Sequence, residues 1–341
     1  MPGTKGGGTS LVDIDGDGDL DLLFPHRGGG SYYWYEFLSF NKWIAHEIGG
    51  PTQTDVGGSC GDIDNDGRID AVTCRNWFRN LGNGSWEKYS YGESIGNHDT
   101  VPGDIDGDGY LDVVCQKGDS HLEWYRNPGN PASEGEWERV YVSEGIHGGT
   151  APRGIGDLDG DGDNDIIRGD KWFENADGKG ETWTGHILEH DIPPSPFNGG
   201  IAVRTWICDI NGDNINDIVL AGCDITDAPI YWLKGLGEGE FQRFHIVTNL
   251  DNDFHSLGVA DFDNDGDLDV VAGGAREGTD KSVYIFDNSD GEGTFTRHKI
   301  ATVHQSHELS VGDVDGDGDI DICSKSWGND PIFALENKLI Q

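Results

Sequence analysis

Seven aspartate-rich nonapeptides recur along this 341-residue chain, and they restrict its fold more than any other feature. They start at Asp13, Asp62, Asp104, Asp157, Asp209, Asp261 and Asp313, and read "DIDGDGDLD", "DIDNDGRID", "DIDGDGYLD", "DLDGDGDND", "DINGDNIND", "DFDNDGDLD" and "DVDGDGDID". Successive starts lie 49, 42, 53, 52, 52 and 52 residues apart. A repeat of this length marks one supersecondary unit stacked on copies of itself, because a single unit cannot bury its apolar face.

Four segments recur around each cluster. A short apolar run leads in, as in "LGVA" (257–260), and another leads out, as in "LDVVAGG" (268–274). A third carries an aromatic and usually ends in Asn: "WFRN" (77–80), "WYRN" (124–127), "WFEN" (172–175), "IFDN" (285–288). The fourth alternates polar and apolar residues, as in "WIAHEI" (43–48). Period-two alternation, β-branched residues and Gly/Asn/Asp turns predict strands. Four strands repeated seven times predict an all-β, seven-bladed β-propeller. The whole chain, 1–341, is one domain on this reading, with blades of about 1–50, 51–93, 94–145, 146–191, 192–249, 250–301 and 302–341. Nine of eleven tryptophans fall in the third- and fourth-strand slots and read as packing. The fourth-strand histidines His46, His186 and His298 share a slot with Tyr89, Val140 and Phe244, so that slot reads as a demand for bulk. Blade seven lacks a clear fourth strand after "PIFALEN" (331–337).

Within each nonapeptide, positions 1, 3, 5 and 9 carry oxygen ligands, and position 6 is usually Gly. The set is Asp13, Asp15, Asp17 and Asp21; Asp62, Asp64, Asp66 and Asp70; Asp104, Asp106, Asp108 and Asp112; Asp157, Asp159, Asp161 and Asp165. It continues with Asp209, Asn211, Asp213 and Asp217; Asp261, Asp263, Asp265 and Asp269; Asp313, Asp315, Asp317 and Asp321. This is the first half of an EF-hand loop, in which alternate residues point inward and Gly allows the sharp turn. Hard oxygen donors on a flexible loop select Ca²⁺, so up to seven structural Ca²⁺ ions are expected. Repeat five is the weakest version, with Asn211 at position 3 and Asn214 in place of Gly.

These loops give the formal net charge of -40 a local meaning. The charge argues against nucleic acid, whose phosphates it would repel. No apolar run is long enough to cross a bilayer, and "MPGTKGGGTS" lacks the apolar core of a signal peptide. Six cysteines, Cys60, Cys74, Cys115, Cys208, Cys223 and Cys323, form no C-x-x-C pair and read as thiols in or beside strands. Loops of this type suit extracellular calcium, so an extracellular or periplasmic location is expected.

The repeats resemble the FG-GAP or VCBS type of integrin α-subunit propellers and of many secreted carbohydrate-active proteins, including propellers of polysaccharide lyases and a sugar dehydratase. In such a propeller the first strand of each blade lines the channel, and the calcium loops share one face. Function is then expected on the other face. Three blades open the channel strand with His in one slot, His98, His255 and His307, where the others have Gly7, Val56, Ala151 and Val203. Asp55, Asp99, His147, Arg153, Arg204 and Glu308 stand nearby. The loops joining second and third strands bring Arg27, Arg75, Lys117, Arg168, Lys171, Arg276, Lys281 and Lys325, a basic rim in an acidic protein, and Trp206 and Trp327 are close by.

The resemblance and the rim together point to an anionic polysaccharide or other glycan. The leading expectation is β-elimination from a uronic-acid-containing polysaccharide. Arg153, Arg204 or Arg276 would neutralise the carboxylate, and His98, His255 or His307 would remove the α-proton. A further catalytic metal held by the three histidines is a variant of this reading. The alternative is a non-catalytic lectin or an adhesion propeller with a protein partner, and pockets repeated from blade to blade would favour the lectin.

Overall fold

A computed structural model describes residues 9–25, 30–52, 59–73, 75–92, 98–117, 121–133, 135–145, 148–197, 200–275, 277–328 and 332–338, with only the backbone at Lys117. Arg27, Arg276, Asp55, His147 and the channel-slot residues Gly7 and Val56 lie outside the described residues.

The strands form seven sheets. Blade six shows the plan: Phe254–Ala260, Asp269–Gly274, Ser282–Asp287 and Thr296–Thr302 pair in sequence order, each antiparallel to the next. The second strand, as in Asp217–Gly222, is buried throughout, which is why it reads as a continuous apolar run. The fourth strand is the outer edge and is mostly exposed, as in Thr296–Thr302. Among the described residues blade seven has three strands, Glu308–Gly312, Asp321–Lys325 and Phe333–Leu335.

The core lies between blades. Ile63, Val72, Trp77 and Tyr91 of blade two pack on Val113, Cys115, Tyr125 and Trp137 of blade three. Val314, Cys323 and Ile332 of blade seven pack on Leu22, Phe24 and Tyr35 of blade one. That layer, with the Leu20 N–H donating to the Val314 carbonyl at 3.0 Å, joins the last blade to the first among the described residues. Tryptophans of the third strand lie beneath the next blade's hairpin: a Cβ added to Gly293 would meet the Trp232 ring at 1.9 Å, at φ +91°. Only glycine satisfies both constraints there.

The asparagine that ends the third strand is an inter-blade clamp. Asn127 Nδ2 donates to Ile63 O in the preceding blade at 2.8 Å, and Asn175 Nδ2 donates to Ile105 O at 2.8 Å. Blades six and seven repeat the bond through Asn288 and Asn337. The five described cysteines, Cys60, Cys115, Cys208, Cys223 and Cys323, are free thiols.

Blade four departs from the plan. Its channel strand breaks in two: Ile155–Gly156 pairs within the blade, while Pro152–Arg153 adds in parallel to Val203–Cys208 of blade five, making a five-stranded sheet. The cause is Asp99 of blade three. Its Oδ2 accepts the backbone N–H groups of Gly149, Thr150 and Ala151 at 2.9, 2.8 and 2.9 Å and draws this segment sideways.

Candidate functional site

The aspartate loops all lie between first and second strands. In every loop the position-6 N–H donates to the position-1 carboxylate, as in Gly67 to Asp62 at 2.8 Å and Gly266 to Asp261 at 2.9 Å. Positions 4 and 6 both take positive φ. Asn214 adopts +65°, so asparagine does serve in place of Gly in repeat five. Position 4 is Gly or Asn in all seven repeats for the same reason, a requirement that the spacing of the acids alone did not reveal.

Position 9 has a second duty. Asp112 Oδ2 accepts the Ile105 N–H at 2.8 Å and Oδ1 accepts the Asn127 N–H at 2.7 Å, tying loop, second strand and third strand together. All seven blades repeat this pair of bonds. The oxygens nonetheless converge. Asp13, Asp15 and Asp17 offer carboxylate atoms within 4.8 Å of one another, as do Asp62, Asp64 and Asp66, Asp104, Asp106 and Asp108, and Asp157, Asp159 and Asp165. Asp64 Oδ1, Asp104 Oδ1, Asn211 Oδ1 and Asp261 Oδ1 are buried without a hydrogen-bond donor. Burial, only partly offset by the two backbone donors, pushes Asp21, Asp70, Asp112 and Asp165 up to about 7. Inward-facing orphaned oxygens and unbalanced carboxylates fit an oxygen-loving divalent cation, and the donor set suits Ca²⁺.

The second cluster forms at the channel ends of blades three, five, six and seven. His98 Nδ1 pairs with Asp99 Oδ1 at 2.6 Å. Arg204 is 3% exposed; its Nε donates to the His255 carbonyl at 2.8 Å, and its Nη2 contacts His255 Nδ1 at 2.9 Å and Glu308 Oε1. The His255 ring stacks on His307, and His307 lies 4.6 Å from the Trp327 ring. His307 Nδ1 is 3.1 Å from Glu308 Oε1 but off the hydrogen-bonding direction, which leaves that nitrogen without a hydrogen bond. Asp224 Oδ1 stands 3.7 Å from His255 Nε2.

Electrostatics differentiate these groups. Burial, with Arg204 beside it, depresses His255 to about 3, and burial with His255 and Arg204 nearby depresses His307 well below its ordinary value. Burial raises Glu308 to about 7 despite Arg204. Burial would raise Asp99 too, but the His98 and Arg204 charges and the backbone donors outweigh it and hold that carboxylate well below its usual range. His255, His307 and Glu308 bring three ligand atoms within 4.8 Å. However, the Arg204 guanidinium already contacts two of the three, so a fixed cation sits where a metal would have to go.

The other rim candidates divide. Arg153 is exposed and lies over the half-buried Trp206 ring, 5.5 Å from its centroid. Arg168 is buried with Nε and Nη1 unpartnered, and Lys325 is buried with Nζ donating to Ser326 O at 2.6 Å. Arg75 is half-buried, and the Lys117 side chain lies outside the described residues. The sequence placed Asp99 beside the channel histidines without showing its anchoring bonds to Gly149, Thr150 and Ala151, and did not mark Asp224 as the carboxylate facing His255. No repeat spacing marks Asp224.

Grooves also open between blades on the loop side. One of about 660 Å³ at blade one is lined by Asp15, Trp34, Glu36, His46, Arg68 and Trp86. One of about 390 Å³ at blade four is lined by Asp159, Trp172, Glu174, His186, Glu238 and Glu240. Both contain a Trp–His stack at 4.3 Å and a His–Glu contact at 2.7 Å.

Fold and loops together define a seven-bladed propeller whose loops bring carboxylate oxygens together. The FG-GAP-like repeat model matches residues 13–73, 104–168, 209–272 and 261–324, more than half of the chain, and the chain belongs to that family. A crystal structure of BBS1N in complex with ARL6DN, soaked with mercury, is similar in fold, with a TM-score of 0.61 at 10% identity over 100% of this chain and 96% of that one. No curated protein matches the sequence.

Proposed function

We propose that this protein is a calcium-stabilised propeller, holding up to seven structural Ca²⁺ ions, that performs acid–base chemistry on a carbohydrate at the channel mouth. The best-fitting reaction is β-elimination on a uronic-acid-containing polysaccharide. The observation that carries it is the convergence of His98, Asp99, Arg204, His255, His307 and Glu308 from four blades. Burying so many ionisable groups is costly, and the fold does not require it, since Ala151 and Val203 fill the same slot elsewhere. Concentrations of perturbed titratable groups occur preferentially at functional sites.

The roles follow from the charges. His307 is neutral at neutral pH and keeps Nδ1 without a hydrogen bond, as a base needs. Glu308 is poised near neutrality beside it and can pass a proton on. Arg204 is committed to Glu308, so the exposed Arg153 over Trp206 is the better partner for a substrate carboxylate. An extracellular or periplasmic setting belongs to the same reading. The test is incubation with a panel of uronate polysaccharides, following absorbance of the unsaturated product. Product that disappears in His307→Asn and falls in Arg153→Ala supports the reading; no product from any uronate polymer overturns it.

The recurrence of one groove at blades one and four favours a second reading, a lectin that reuses its repeat. Calcium-dependent binding on a glycan array without turnover would select it.

A further inference from the structure

One slot of the third strand lies beside the metal loop in every blade, and its charge changes sign around the ring. It holds Arg79, Arg126 and Lys234 in blades two, three and five, and Glu36, Glu174, Asp287 and Glu336 in blades one, four, six and seven. The bases are bound to loop oxygens: Arg79 Nε to Asp64 Oδ2 at 2.5 Å and Nη2 to Asp66 Oδ2 at 3.1 Å, Arg126 Nε to Asp106 Oδ2 at 2.9 Å, Lys234 Nζ to Asp213 Oδ2 at 3.3 Å. The acids are held instead from the outside. His46 Nε2 reaches Glu36 and His186 Nε2 reaches Glu174, both at 2.7 Å, while His298 Nε2 stands 3.4 Å from Asp287. In blade seven Lys338 holds Glu336 at 2.7 Å.

Two other slots follow the same division. The fourth-strand residue opposite the tryptophan position is His46, His186 and His298 in the acidic blades, but Tyr89, Val140 and Phe244 in the basic ones. Loop position 7 is Asp19, Asp163, Asp267 and Asp319 in the acidic blades, against Arg68, Tyr110 and Ile215. Asp19 Oδ1, Asp163 Oδ1 and Asp287 Oδ1 are buried without hydrogen-bond donors. Counting loop acids with these neighbours, each acidic blade gathers six negative charges, while the others keep a net two or three.

We infer that the loops form two classes of calcium site: four tight sites in blades one, four, six and seven, and three weak ones in blades two, three and five, where a built-in cation occupies loop oxygens. The inference rests on the calcium reading of the loops. Charge count is the main lever by which such loops set affinity, and a carboxylate already bound to Arg or Lys gives less to Ca²⁺. The third-strand acid and position 7 also add oxygens that the basic blades lack. The fourth-strand histidines thus do more than fill space, since each orients the extra carboxylate of its blade.

Calcium titration of the stripped full chain by calorimetry, with bound ions counted by native mass spectrometry, tests this. Four equivalents are expected first, then three that bind roughly 10- to 100-fold more weakly. Glu174→Gln moves one equivalent from the tight to the weak group, and Arg126→Gln moves one the other way. Seven indistinguishable sites, or a first step of three, overturn the inference and leave calcium binding intact. No uptake at all overturns the calcium reading itself. The unmutated chain decides the split whether or not either variant folds.

Discussion

His255 and His307 lie face to face across the boundary between blades six and seven, ring centroids 3.7 Å apart and planes 25° from parallel. Two imidazolium ions at that distance would repel strongly in a buried setting, and Arg204 adds a third positive charge against His255. The pair is therefore neutral in the folded protein at neutral pH and binds protons less readily than in the unfolded chain.

The pH dependence follows from that difference. Both folded histidines sit below the unfolded value of about 6.5, so at these two sites the unfolded chain binds more protons and their contribution to stability rises with pH, while Glu308, raised to about 7 in the folded state, works in the opposite direction. On acidification the histidine contribution falls from about pH 6.5, and that of His255 continues to fall down to about 3. Between pH 7 and 5 His255 costs about 2 kcal/mol, and His307 adds a loss of the same sign. Urea unfolding at pH 7 and pH 5 in saturating Ca²⁺ checks this. His255→Asn is expected to make the change in stability between the two pH values less unfavourable on the acid side by about 2 kcal/mol, His307→Asn shifts it in the same direction, and an unchanged pH dependence in both contradicts the assignment.

Arg204 offers a second test. Arg204→Leu leaves Glu308 and His255 buried without their partner, and a loss of about 3–5 kcal/mol in urea unfolding is expected. Arg204→Lys recovers little, because an ammonium cannot reach the His255 carbonyl, its Nδ1 and Glu308 through one rigid fork. The double replacement Arg204→Leu with Glu308→Leu recovers most of the loss.

The inter-blade clamp is testable at Asn127, which is 1% exposed. Its Nδ2 serves Ile63 O and Leu111 O, and its Oδ1 accepts the Gly129 N–H at 3.0 Å. Asn127→Ala strands these groups, and a loss of about 1–3 kcal/mol is expected. A destabilisation under half a kcal/mol would show that the clamp is dispensable.

Much of this was legible in the sequence because the repeat fixes register. Once the nonapeptides are aligned, loop, channel strand and second strand follow from period-two alternation, and the three channel histidines stand out against Ala151 and Val203. Contacts between repeats were harder to see. Asn127 was visible as a strand end, but its target, Ile63 O, is 64 residues away in another blade. The break in the blade-four channel strand was hidden because its cause, Asp99, belongs to the preceding blade. The fourth-strand histidines were seen and judged by bulk, which their ring stacking on Trp34 and Trp172 supports. Their pairing with Glu36 and Glu174 emerged only when the strand register placed both beside the loop.

Thermal unfolding with and without calcium tests the central claim, that the aspartate loops hold structural Ca²⁺, most directly. Each site occupied at a hundred times its Kd adds about 2.7 kcal/mol to the folded state. With four tight loops filled, excess EGTA is expected to lower Tm by on the order of 10 °C or more, and re-addition of Ca²⁺ to restore it. A Tm that is the same in EGTA and in millimolar Ca²⁺ would contradict the account.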